Sequence, residues 1–367
     1  MAPSLLSAVG DLARVVHDPD GEPEQFRQCS RDAMTAARRS DPATLTAAIE
    51  MLVPLLPGVV GVYSKLALLA GTLVEWGGSP LPLCDVLPRR AAAALQMAEI
   101  FPGAWQQAAG GEPPPDRADL AEIAATRERL VASAASRGIP RQQAELVAWS
   151  WFEVMDWGRA LITAMTHREF RAAMEHRDWV RDASRAMAEK LDTANCVLGL
   201  TLVLDDEPLV ILDHASGRGF SLTMSGVGDN FQLHTLLADR LGRLPGRRDS
   251  LPGLEPPKRG WVKAATDGKV RRPASDPIVR RFRLFDGRGA YVFPEGRPAD
   301  IQPLDGTRVL VLHPPLAPFA WTGGRFYEHM HPALTLDREL DPAEAAGWLS
   351  RVAPAVQDDM MAWGRVP

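Results

Sequence analysis

Cysteine and lysine are scarce in this chain. Cys29, Cys84 and Cys196 stand far apart with no CxxC pair. An odd, scattered set is a poor disulfide framework and a poor zinc site, and buried free thiols are the expectation. Only five of the 41 basic residues are lysine. Together with abundant Ala, Gly, Pro and Arg, this is the imprint of GC-rich coding and points to a bacterial source. A basic start followed by a long apolar run and a small-residue cleavage site is missing, so no signal peptide is expected.

Catalytic signatures are missing too. Gly268-Lys269 is followed by Val270, so no hydroxyl stands where a P-loop would hold magnesium. No GxGxxG, GxSxG or HExxH occurs, which argues against the common nucleotide-binding, hydrolase and metallopeptidase classes. No internal repeat of solenoid or propeller length is present.

What is there suits a globular chain. It has 367 residues, 46% of them hydrophobic and 24% charged, with a formal net charge of -5. That is enough apolar material for one or two domains, and it excludes global disorder and a uniformly basic nucleic-acid binder. Between Met51 and Val74 the only charge is Lys65. Pro54, Pro57, Gly58, Gly61 and Gly71 interrupt this stretch, so two buried helices meeting near Pro57 are expected and no membrane span. A soluble, cytoplasmic protein is the expectation.

The periodicity predicts an α+β chain: an all-helical domain over 1–194, then a smaller α+β domain over 195–367. Helical segments fall at 23–39, 41–53, 59–76, 89–109, 116–137 and 141–191, with Asp41-Pro42 as a cap followed by proline. Val147, Trp151, Val154, Gly158, Leu161 and Met165 form one stripe, which places that helix centrally. Trp151 and Trp157 read as core, with stacking on a flat ligand as the alternative. Strands are expected at 196–204, 209–212, 219–224, 279–285, 289–293 and 308–312, and helices at 231–241 and after Asp341-Pro342. Asp229 or Asn230 is placed to cap the first of these two helices.

Four groups of residues could carry function. Tyr327-Glu328-His329-Met330-His331 puts two imidazoles on one side of an extended segment. With His313 or His214 as a third ligand they could hold a transition metal, with Arg325, Tyr327 and Glu328 as neighbours. From Arg240 to Arg283 thirteen basic residues face four acids, in a Pro/Gly-rich loop about 243–277. Arg259, Arg271, Arg272, Arg280 and Arg281 suit phosphate or carboxylate, and Trp261 could stack on a base or sugar. Glu153 and Asp156 lie beside the apolar stripe of the central helix. Asp156 can pair with Arg159, and Glu153, buried without a partner, would become an acid/base candidate. Asp205-Asp206-Glu207 reads as a solvated turn.

The function expected is that of a soluble binding or accessory protein, an adaptor or regulator. Its Arg-rich loop would engage an anionic small molecule or an acidic or phosphorylated partner; nucleic acid is the lesser fit. The alternative is an enzyme of unrecognised family, of specialised metabolism, with a metal or acid/base site around His329 and His331.

Overall fold

The first three helices start on a capping residue, a proline or both. The computed structural model describes residues 3–18, 22–115, 120–244, 251, 254–267, 282–315, 327 and 330–356. The chain divides into two compact units, Met1–Thr201 and Leu202–Pro367. Helix α1 (Leu5–His17) is capped by Ser4, and α2 (Pro23–Ala37) opens on a proline. In α3 (Pro42–Leu52) Asp41 accepts the Thr44 N–H at 3.0 Å, with proline at the first position as the sequence predicts.

Two short 3-10 turns, Leu56–Gly58 and Gly61–Ser64, break the apolar stretch before α4 (Lys65–Glu75). Among the described residues no helix is long and apolar enough to cross a membrane. Helix α5 (Val86–Ala109) ends on Gly110 in the left-handed conformation, φ 62°. Helix α6 (Leu120–Ala135) and α7 (Arg141–Met165) follow.

The expected helix over 141–191 is three helices: α7, α8 (Arg168–Ala173) and α9 (Arg177–Met187). The chain turns where the Arg171 Nη1 donates to Met165 O and Thr166 O, and again at His176, φ 58°. The strand expected over 196–204 is instead α10 (Asp192–Thr201). An apolar run of that length fits either state, and here packing against α7 and α9 decides it.

Helix α7 is the centre of the first unit. Val147, Val154, Gly158, Leu161 and Met165 of the stripe are all buried, and Trp157 is 0% exposed. Trp151 is half-buried, stacked on Phe101 with ring centroids 4.8 Å apart, so both tryptophans pack rather than wait for a ligand. The proline run after α5 supplies acceptors to two indoles: Trp105 donates to Pro113 O at 3.0 Å and Trp151 to Pro115 O at 2.8 Å. On the other side α4 lies close, since a Cβ at Gly71 would sit 2.9 Å from Ala160 Cα.

The second unit is a five-stranded sheet in the order β3-β4-β1-β2-β5. Its strands are β1 (Glu207–Asp213), β2 (Gly219–Ser225), β3 (Arg283–Asp286), β4 (Arg308–His313) and β5 (Ala333–Glu339). Only β1 and β4 run parallel; the other neighbours are antiparallel. Leu209, Ile211, Leu310 and Leu312 face one core, and Val210, Leu212, Val309 and Val311 face the other. Covered faces explain why these two strands read as unbroken apolar runs. Helix α11 (Asn230–Gly242), capped by Asp229, packs on the first face. Helix α13 (Pro342–Leu349), capped by Asp341, packs on the second.

Three expectations for this unit change. Inside the supposed loop at 243–277, residues Arg259–Asp267 form α12, whose Trp261, Ala264 and Ala265 are buried. Gln232 Nε2 on α11 donates to Ala265 O at 3.0 Å, pinning the helix in place. The strand expected at 289–293 reduces to one bridge between Phe285 and Tyr291, because Asp286 Oδ1 accepts the N–H groups of Arg288 and Ala290 and curls the chain. Edge strand β5 follows the histidine-bearing segment and was not expected.

Two glycines in helices test this packing with opposite signs. A Cβ at Gly103 of α5 meets nothing within 4 Å. Gly103→Ala therefore stabilises by up to about 1 kcal/mol through helix propensity. Gly71→Ala destabilises by about 1–2 kcal/mol despite the same propensity gain, because overpacking prevails. Urea midpoints of the two variants check this; a stabilised Gly71→Ala contradicts the close approach of α4 and α7.

Candidate functional site

Small residues leave a gap where α5, α6 and α7 meet. Gly103 and Ala104 on α5, Ala134 on α6 and Ala144 on α7 line it with short side chains, Ala134 and Ala144 buried and Gly103 at the exposed rim. The result is a cleft of about 300 Å³ between two small clusters, one built on Leu130 and Val147, the other on Ala134, Ala144 and Ile139. Ile100, 47% exposed, forms part of its wall. Gln107, Arg137 and Gln143 supply the polar lining, and Arg137 is the one charged residue there. Its Nε donates to Ser133 O at 3.2 Å. An apolar hollow with few polar groups, set between bundle helices, is the usual form of a small-molecule site.

A second constellation lies on α7. Glu153 is 4% exposed and accepts the Gly61 backbone N–H. Gly61 adopts φ 67° and sits under the Trp149 ring, where a Cβ would lie 3.3 Å from the indole. Burial pushes the Glu153 carboxyl up to about 7; the Gly61 N–H, the Trp157 indole and the Arg90 guanidinium oppose the rise, and Asp156 adds to it. The Trp157 N–H is near enough to favour the carboxylate but reaches no acceptor at hydrogen-bonding geometry.

Arg90 Nη2 donates to Val59 O at 2.8 Å, and its guanidinium lies 4.8 Å over the Trp157 ring. Asp156 does not pair with Arg159 as expected. Its oxygens accept Ser64 Oγ–H and Lys65 Nζ–H, each at 2.8 Å, because α7 turns this side toward the start of α4. Together these bonds clamp residues 59–65 onto the bundle. A carboxyl titrating near 7 is competent for proton transfer, but here it is closed over by that segment and acts as a clamp.

The structure brings two of the four candidate histidines together. His214 and His313 stack at the carboxyl ends of parallel β1 and β4, with centroids 4.6 Å apart and rings 23° from parallel. Burial, then the neighbouring His214 and Arg283, lower the His313 pKa, against Asp213. Imidazole binds metal through a lone pair in the ring plane. Stacked rings direct those lone pairs side by side, so these two imidazoles by themselves do not converge on one ion.

His331 is exposed, and among the described residues it joins no three-ligand group with the pair. Glu328, His329 and Arg325 lie outside the described residues. Tyr327 and Met330 are buried against the turn at Gly228. Among the described residues, three ligand-type side chains do meet, Asp85, Glu175 and His176; they are exposed, with His176 Nε2 already 3.1 Å from Asp85 Oδ1.

Comparison with protein-family models, curated proteins and solved structures gives no match.

The arginine segment is partly absorbed by the fold. Arg271, Arg272, Arg280 and Arg281 lie outside the described residues. Arg240 donates to Leu334 O, Arg243 to Asp239 and Pro257 O, and Arg283 to Pro314 O. Arg259 is exposed at the start of α12, whereas Trp261 is 3% exposed and so cannot stack on a base. The cleft itself escaped the sequence reading. Its signal was Pro102-Gly103 inside an otherwise apolar helix, next to an Ile100 with no buried role.

Glu153 gives the helical unit a defined pH response. Its folded pKa of about 7 stands above the ordinary 4.5, so from 4.5 to 7 the folded state holds a proton that the unfolded chain releases. Stability contributed by the neutral form is lost as pH rises through that window, up to about 3 kcal/mol. Glu153→Gln keeps an acceptor for Gly61 and carries no charge. It stabilises the protein at pH 8, by about 1–3 kcal/mol, and changes little at pH 4.5. Denaturant unfolding at the two pH values checks this; equal effects at both contradict the buried, proton-holding carboxyl.

Proposed function

We propose that this chain is a binding protein that takes a small, largely apolar molecule into the α5–α6–α7 cleft, and that it acts as an accessory factor rather than through a catalytic group. One observation carries the reading: three helices line an apolar hollow of about 300 Å³ that small side chains hold open. That volume is at the lower end of ordinary ligand sites, so the ligand is small. The buried Glu153 clamp and the stacked His214–His313 pair make no competing claim, since neither presents reactive groups converging on a free space.

The neutral fluorophore 1-aminoanthracene tests this directly. The wild-type chain binds it at one site per molecule, with enhanced emission. Gly103→Leu fills the cleft and lowers affinity at least roughly tenfold, an effect of about 1.4 kcal/mol or more. The same change leaves the unfolding midpoint equal or higher, because Leu is the better helix former and a Cβ meets nothing there. Unchanged probe binding in Gly103→Leu overturns the proposal.

A further inference from the structure

We infer that the ligand of the cleft is a small amphipathic monocarboxylate, its apolar body between Ile100, Leu130 and Val147 and its carboxylate at Arg137. The inference rests on reading the cleft as a binding site, and adds to it the chemical class of the occupant. Arg137 is the one charged residue in the lining. Arg137 is exposed at the cleft rim, and its Nε donates to Ser133 O at 3.2 Å near the end of α6. A planar guanidinium offers paired donors that match a carboxylate, and a single positive charge matches a monoanion.

The neighbouring helix end works in the same direction. Gln143 and Ala144, in the first turn of α7, line the cleft. This 25-residue helix has Pro140 at its cap position, no side-chain cap hydrogen bond and no acidic residue in its first turn. Ser4, Asp41, Asp229 and Asp341 cap their helices through side chains, whereas α2, α4, α5, α8 and α9, like α7, have no side-chain cap. The positive end of the α7 dipole is thus left without a side-chain acceptor beside the cleft. Arg141 adds little net charge, since it is paired with Glu128 and Glu145. The excess positive charge at the lining is that of Arg137.

Displacement of 1-aminoanthracene by octanoate and by 1-octanol, which share a tail and differ in the head group, tests the class. In the wild type octanoate competes roughly five- to tenfold better than octanol, and the advantage shrinks as salt is raised. Arg137→Gln removes the advantage while octanol binding stays unchanged. Equal competition by the two compounds in the wild type, or an octanoate advantage that survives Arg137→Gln, overturns the carboxylate assignment while leaving the cleft as a site. Failure of both compounds and of the fluorophore to bind overturns the site itself.

Discussion

Packing of α7 on three sides, against α4, α5 and α10, is the constraint on which the helical unit depends. Gly71 lets α4 approach Ala160, and Phe101 stacks on Trp151 to join α5. On a third side Thr193 of α10 donates to Met155 Sδ at 3.0 Å. A helix held this way cannot shift to collapse a hollow beside it. The gap at Gly103, Ala104, Ala134 and Ala144 therefore persists, whereas in a looser bundle the neighbouring leucines would close it. The same helix carries Glu153 and Asp156, which tie down residues 59–65. The clamp costs burial of a carboxyl, and the protein meets that cost by letting the group keep its proton near neutrality.

The second unit follows a different rule. Its central strands are apolar on both faces because α11 covers one and α13 the other, and the charged residues of β5 mark the edge. Asp337 accepts Thr223 Oγ1–H, and Glu339 pairs with Arg218 across the β2–β5 ladder. Arginines that read as a free positive surface are in several cases backbone-bonding struts, as with Arg240 and Arg283. Guanidinium groups with five donors serve that purpose well where chain turns leave carbonyls exposed.

Much of the architecture was legible in advance. Capping at Asp41, Asp229 and Asp341 and the stripe on α7 marked their helices correctly, because caps and 3.6-residue spacing are local signals. The α+β class followed from the apolar runs of β1, β2 and β4. Errors arose where tertiary packing overrode local texture: Cys196–Leu204 looked like a strand but its first part is the buried helix α10, and 259–267 looked like loop but forms α12. Asp156 pairs with Lys65, far away in sequence, whereas local spacing offers only Arg159. The stacking of His214 on His313 follows from the parallel pairing of β1 and β4, which joins segments about a hundred residues apart and leaves no local signal. The cleft was the least legible feature, since a hollow is defined by small residues on three helices and no one of them is unusual alone.

The central claim is that the working surface belongs to the helical unit, in a cleft that α7 keeps open. Methyl NMR of the full chain under octanoate titration tests it most directly. The account predicts saturable shifts of Ile100, Leu130, Ile139 and Val147, with Leu209, Ile211 and Leu310 of the sheet unchanged. Shifts confined to the sheet unit, or spread evenly without saturation, would contradict it.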